Sequence, residues 1–155
     1  RVELPPLLSR QAVQVLGSKG ATVVLTTTPY YSSGVDSAGS PWPEDTPSRV
    51  VLDDEDIHKV ATSMTTGPNH TPVYIFNLNA LVSPGDRFVS SIGPVNIRCN
   101  DGVHFSRPGG VFIGLQLLPD LATLGQAHAA ASPGGSWDGP IPASTPTWYQ
   151  KLPCQ

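Results

Sequence analysis

The chain has little charge, few cysteines and no long apolar run. Charged residues make up 14% of its 155 positions and the formal net charge is −3, which argues against a nucleic-acid-binding surface. Its hydrophobic share of 39% is near globular values, which argues against wholesale disorder. The four histidines are scattered and neither of the two cysteines has a Cys-x-x-Cys neighbour, so no metal site is expected and no cofactor is implied. The longest apolar stretches, such as Val111 to Leu118 with Gly114 and Gln116 inside, fall far short of the roughly 20 residues a membrane span needs. An initiator Met, a basic region leading into an apolar one, and an A-x-A site are all missing. Arg1 is therefore read as the start of a processed or truncated piece.

What the chain does hold is turn-formers. Gly and Pro together supply 32 residues, about 21% of the sequence, so long stretches are expected to be loop. Low charge with so many turn-formers leans toward an extracytoplasmic protein. One domain is expected over residues 1–130, followed by a Pro/Gly-rich extended tail over 131–155.

Leu7, Leu8, Ala12, Val15 and Leu16 recur at helical spacing between Pro6 and Leu16. Gly17 and Gly20 then end the helix, and Ala21 to Thr26 reads as a buried, β-branched parallel strand. Tyr30 to Ser48 reads as loop. Acids from Asp53 to Asp56 suit a helix N-terminus near Leu52, with Ile57, Val60, Ala61 and Met64 as the apolar stripe and Gly67-Pro68 as the stop. Val73 to Leu78 is the next buried strand. Arg87–Ser90 and Val95–Arg98 flank Ile92-Gly93-Pro94 as a small hairpin, and a last helix runs from after Ser106 to near Gly125. The alternation α-β-α-β-(ββ)-α calls for an α/β fold with a parallel sheet between helices. Two strands make a small sheet with open edges, so further strands are expected from upstream or from another chain.

Two acid-x-x-His pairs occur. Glu55 and His58 lie on the acidic helix, where a solvated face is the simplest reading. Asp101 and His104 lie in the loop Arg98-Cys-Asn-Asp-Gly-Val-His-Phe-Ser106, followed by Gly109-Gly110. A carboxylate three residues before a histidine in a loop can turn onto Nδ1 and leave Nε2 facing a cleft, the orienting half of a nucleophile-base-acid relay.

This Asp-Gly-Val-His-Phe-Ser block, with the Gly pair and apolar helix behind it, resembles the last conserved block of SGNH (GDSL-like) esterases and acyltransferases. It is most similar to the extracytoplasmic SGNH domains of bacterial membrane acyltransferases. The preceding order of helix, strand ending Thr26-Thr27-Thr28-Pro29-Tyr30, acidic helix and second strand is similar too. The resemblance implies a three-layer α/β/α, flavodoxin-like fold, His104 as general base and Asp101 as its orienting acid. It also implies an acylated glycan or glycolipid of the cell envelope as substrate. The family's Gly-Asp-Ser nucleophile block and its Gly and Gly-x-Asn-Asp oxyanion blocks have no counterpart before Asp101. The N-terminal strands, and with them the nucleophile, are expected from a missing N-terminal half or a partner chain. Without them this chain should be nearly inert, since one oxyanion donor alone is worth about 10² to 10³ in rate. The alternative is a non-catalytic structural or glycan-binding envelope subunit on the same scaffold.

Thr27, Thr28 and Tyr30 follow the first strand, where substrates of open α/β sheets bind, and are candidate pocket-lining residues. Arg98 and Arg107 flank the His loop, where they meet either an anionic or carbohydrate substrate or nearby carboxylates. Cys99 and Cys154 either pair with each other, with a gain of roughly 4 kcal/mol from loop closure, or bond to the missing half, or stay as thiols. Asn69-His70-Thr71 matches a glycosylation sequon. Trp42, Trp137 and Trp148 sit in Pro/Gly-rich stretches, to pack loops or to stack on sugars.

Overall fold

The computed structural model describes residues 6–32, 34, 37–40, 42, 46–66 and 71–131. It divides into two units, 1–89 and 90–155, described in turn. Residues 132–155 of the expected tail, with Trp137, Trp148 and Cys154, and the first two sequon residues lie outside the described residues.

The first unit is built from α1 (Pro6–Gly17), β1 (Val23–Thr26), α2 (Pro47–Thr66), β2 (Val73–Phe76) and α3 (Leu78–Val82). β1 and β2 pair in parallel, with Val23 opposite Val73 and Thr26 opposite Phe76. A parallel pair needs a crossover, and α2 supplies it. The mixed α/β class expected from the sequence is what is found, with a short two-stranded parallel sheet. Val13 of α1, Val23 of β1, and Val60 and Met64 of α2 form the buried core, with Leu25 and Val73 packed against it. Tyr74, one residue out of phase with Val73, is 48% exposed. The strands are thus half-covered rather than buried on both faces, because alternation along a strand sends successive side chains to opposite sides.

Several boundaries differ from expectation for local reasons. α2 begins five residues before Leu52, because Pro47 is preorganised for the first helical turn. The acids Asp53 to Asp56 therefore sit inside the helix, and its first turn holds none. β2 ends at Phe76, because the Asn77 side chain accepts a hydrogen bond from Ala80 N–H and starts α3, a short helix the periodicity did not indicate. β1 begins at Val23 rather than Ala21. Among the described side chains of α1 the buried one is Val13, while Val15 and Leu16 are exposed. The exposed Arg10 donates from Nε to Ser63 Oγ on α2, and a side chain at Gly17 would collide with buried Thr71.

The second unit starts with the hairpin β3 (Ser91–Ile92) and β4 (Val95–Asn96), antiparallel with Ile92 opposite Val95. The hairpin is where the sequence puts it, but its first strand is Ser91–Ile92 and not the expected 87–90, its second keeps only the first half of 95–98, and the turn is two residues, Gly93-Pro94. Gly93 takes a φ of 54°, and proline keeps its fixed negative φ, the pattern of a type II′ turn. α4 (Arg107–Ala131) packs on β4. It runs beyond Gly125 because Ala127 and Ala129 to Ala131 are the strongest helix formers. Gly109 in its first turn lies against the Ile97 backbone so closely that a Cβ would overlap the Ile97 carbonyl.

Candidate functional site

In the second unit, residues 99–104 form a loop closed at its base by an antiparallel bridge between Arg98 and Phe105. Cys99 N–H donates to the His104 carbonyl (2.9 Å) and Gly102 N–H to the Cys99 carbonyl (2.9 Å). Gly102 is buried and sits at φ 70°, a conformation that favours glycine. Asp101 Oδ1 accepts from the backbone N–H of Val103 (2.8 Å) and of His104 (2.9 Å). This leaves Oδ2 aimed at the imidazole, 2.7 Å from His104 Nδ1. One carboxylate thus shapes the turn and orients the ring.

The Val103 N–H, and after it the contacts from His104, hold the Asp101 carboxyl below the usual carboxylate range against a smaller opposing desolvation. It is therefore ionised at neutral pH, and an ionised carboxylate at Nδ1 favours the tautomer that carries its proton there. The His104 side chain is 68% exposed, so the ring is held by its partner and not by packing.

Arg98 lies inside this unit, 2% exposed. Its Nη1 donates to the Val103 carbonyl at 2.7 Å and its guanidinium lies 4.0 Å from the Phe105 ring centroid, a cation–π distance. It braces the loop from beneath. Ser106 caps α4: its Oγ accepts from Gly109 N–H (3.0 Å) and donates to the Asn96 carbonyl (2.6 Å), joining the loop's exit to the hairpin. Cys99 is half-buried in the loop; Cys154, its candidate partner, lies outside the described residues.

The first unit carries a separate cleft of about 640 Å³ where β1 and β2 end, lined among others by Tyr30, Asp54, Glu55, His58, Asn79 and Asp86. Thr27 is buried and ties the strand ends together: its hydroxyl donates to Asn77 Oδ1 (3.1 Å) and accepts from Asn79 N–H (2.8 Å). Thr28 uses its backbone N–H, which donates to Asp54 Oδ1 at 2.6 Å. Asp54 Oδ2 accepts from Asn79 Nδ2 at 2.9 Å. Tyr30 is buried against Ser83, whose Oγ accepts the Tyr30 N–H (3.1 Å).

Of the candidate residues after the first strand, Tyr30 reaches the cleft wall, while the Thr27 hydroxyl is engaged in holding α3. Asp54 and Asn79 are not among the site residues expected from the sequence. Asp54 was hidden in an acidic run that reads as helix-end charge; the signal for Asn79 was the Asn-Leu-Asn after a strand, a cap pattern. Glu55 and His58 both line the cleft, yet Glu55 faces Lys59 (3.4 Å), which also meets Asp56 (3.2 Å). Among the described residues no group of three or more His, Cys, Asp or Glu side chains is arranged to hold a metal ion.

Comparison with protein-family models, with curated proteins and with solved structures finds no match.

Proposed function

We propose that the Asp101–His104 loop is the base-and-orienter half of an SGNH-type O-acyl esterase or acyltransferase. It acts on an acylated cell-envelope glycan or glycolipid outside the cytoplasm. The nucleophilic serine and oxyanion donors come from a segment these 155 residues do not contain, which also completes a three-layer α/β/α sheet. The observation that carries the reading is the 2.7 Å contact from Asp101 Oδ2 to His104 Nδ1, with Oδ1 pinned by two backbone N–H groups. A purely structural histidine does not require so constrained a carboxylate on an exposed ring.

In the proposed reaction, the serine hydroxyl attacks the acyl carbonyl and its proton passes to His104 Nε2. The Asp101 carboxylate stabilises the imidazolium that forms. The protonated ring then returns the proton to the leaving sugar oxygen, and the acyl-enzyme passes its acyl group to water or to an acceptor hydroxyl. Arg98 acts as a positioning residue, since it holds the Val103 carbonyl and touches no reacting atom.

The test is ester turnover by the complete protein on an O-acetylated glycan and on a p-nitrophenyl ester. His104→Ala is expected to lower kcat by about 10⁴ or more and Asp101→Asn by about 10⁴, with unchanged circular dichroism. Wild-type turnover by a folded His104→Ala protein overturns the assignment. The cleft of the first unit supports a second reading, a non-catalytic glycan-binding subunit, since Tyr30, His58 and Asp86 offer an aromatic wall and polar groups in about 640 Å³. Saturable glycan binding that persists in His104→Ala, with no turnover by either protein, favours it.

A further inference from the structure

The cleft at the carboxyl ends of β1 and β2 is rich in acceptors and poor in donors. Asp54, Glu55 and Asp86 bring three carboxylates to its wall, against the one ammonium of Lys59. That ammonium is engaged by Glu55 at 3.4 Å and by Asp56 at 3.2 Å. Asp54 spends both oxygens, on Thr28 N–H and on Asn79 Nδ2, and so contributes charge to the cleft rather than contact. Asp86 donates its backbone N–H to the Ser83 carbonyl (3.1 Å), while its carboxylate meets no hydrogen-bond or ion-pair partner among the described residues.

Asn79 adds an acceptor of a different kind. Its Nδ2 is fixed by Asp54 at 2.9 Å, and its Oδ1 is buried and accepts no hydrogen bond among the described residues. Nearly every buried acceptor in a folded protein has a donor, so this one points to a donor from outside the chain. The backbone at the strand ends has none to offer: Thr28 N–H goes to Asp54 Oδ1 and Asn79 N–H to Thr27 Oγ1.

We propose that this cleft binds an amino sugar by its unacetylated ammonium group, with the Asp86 carboxylate and Asn79 Oδ1 as its acceptors. The inference rests on the glycan-binding reading of the cleft and is independent of His104. An alkylammonium carries three N–H donors and no acceptor, the complement of this wall, and its hydrogen bonds to a carboxylate are stronger than those of a neutral hydroxyl. An anionic sugar is repelled by the same three carboxylates. An inorganic cation is not served either, since among the described residues no three His, Cys, Asp or Glu side chains are arranged to hold a metal ion. The volume of about 640 Å³ is that of a small-ligand pocket and exceeds what an ammonium group fills, so the charge arrives on a larger body. Val51, 47% exposed, and Tyr30 give the carbon face of that body an apolar side.

The experiment titrates the full chain with a β-1,4-linked glucosamine disaccharide and with its N-acetylated form, by calorimetry and by amide chemical shifts. The free amine is expected to bind about tenfold or more tightly than the acetamide, with shifts at Thr28, Asn79 and Asp86. Asp86→Asn removes the charge and keeps the shape, and asparagine tolerates the φ of 53° found there. It should weaken the free amine by about fivefold and leave the acetylated form unchanged, with the amide signals of α1 in place. Equal binding of the two disaccharides in the cleft overturns the ammonium assignment and leaves the glycan-binding reading standing; binding of neither overturns both. Free-amine affinity that Asp86→Asn does not change, or shifts scattered along α2 and lost in salt, also overturns the proposal.

Discussion

Glu55-x-x-His58 and Asp101-x-x-His104 have the same spacing and opposite geometry. The first pair lies on α2, where the helix holds both side chains to its own rise, and Glu55 turns to Lys59 one turn on (3.4 Å). The second lies in a loop that the carboxylate itself shapes, with two backbone N–H groups on one oxygen and the imidazole 2.7 Å from the other. Spacing proposes a pair, and the backbone decides whether it forms. A regular helix satisfies its own N–H groups, so Glu55 is left to solvent and Lys59, and Asp54 takes its partners from outside the helix. A loop has N–H groups to spare, and an aspartate that satisfies them is fixed in position for a second partner.

Substitutions should separate the two sites. The largest expected effect comes from Gly109→Ala, which touches neither pair. The added methyl overlaps the Ile97 carbonyl and must move the backbone from which the His104 loop leaves, at a cost of about 1–3 kcal/mol. The loop amide signals of Val103 and His104 should shift while those of α2 stay in place. If denaturant unfolding shows no loss, the close approach is not a determinant of the loop.

Asp101→Ala is next, with a loss of about 0.5–2 kcal/mol by analogy with a lost helix cap and faster amide exchange at Val103 and His104. Acid should mimic it. The folded Asp101 carboxyl titrates below its unfolded value, so its contribution is complete above the unfolded value of about 3.9. It is lost as pH falls through the lower folded value. The Val103 and His104 amide shifts should therefore titrate with a midpoint under 3.9; a midpoint above it contradicts the hydrogen-bonded carboxylate.

Glu55→Gln should do least, changing stability by less than about 0.5 kcal/mol, because its partner Lys59 is exposed and keeps Asp56 at 3.2 Å. A larger loss would mean that the helical pair is as constrained as the loop pair.

The legible parts of the fold are those set by local chemistry. β-branched runs gave both parallel strands, Gly93-Pro94 gave the hairpin, and the apolar positions Val60, Ala61 and Met64 gave the inward face of α2. α1 was misjudged because Val15 and Leu16 fit a helical stripe as well as Val13 does. What selects Val13 is the position of Val60 and Met64 on another helix, which periodicity within α1 does not contain. The acids of α2 misled in the same way: a run of four reads as end charge until Asp54 is seen accepting from Thr28 and Asn79.

By itself the amino-acid order determined the α/β alternation, the turn residues and the closeness of Asp101 to His104, since each depends on neighbours a few positions apart. Only tertiary structure decided that Arg98 lies beneath the loop, that Thr27 holds α3 at the end of β1, and that Val111, Leu115 and Leu118 of α4 are exposed among the described residues. Those outcomes depend on which surface packs against a given side chain, and burial is a property of the pair rather than of either residue.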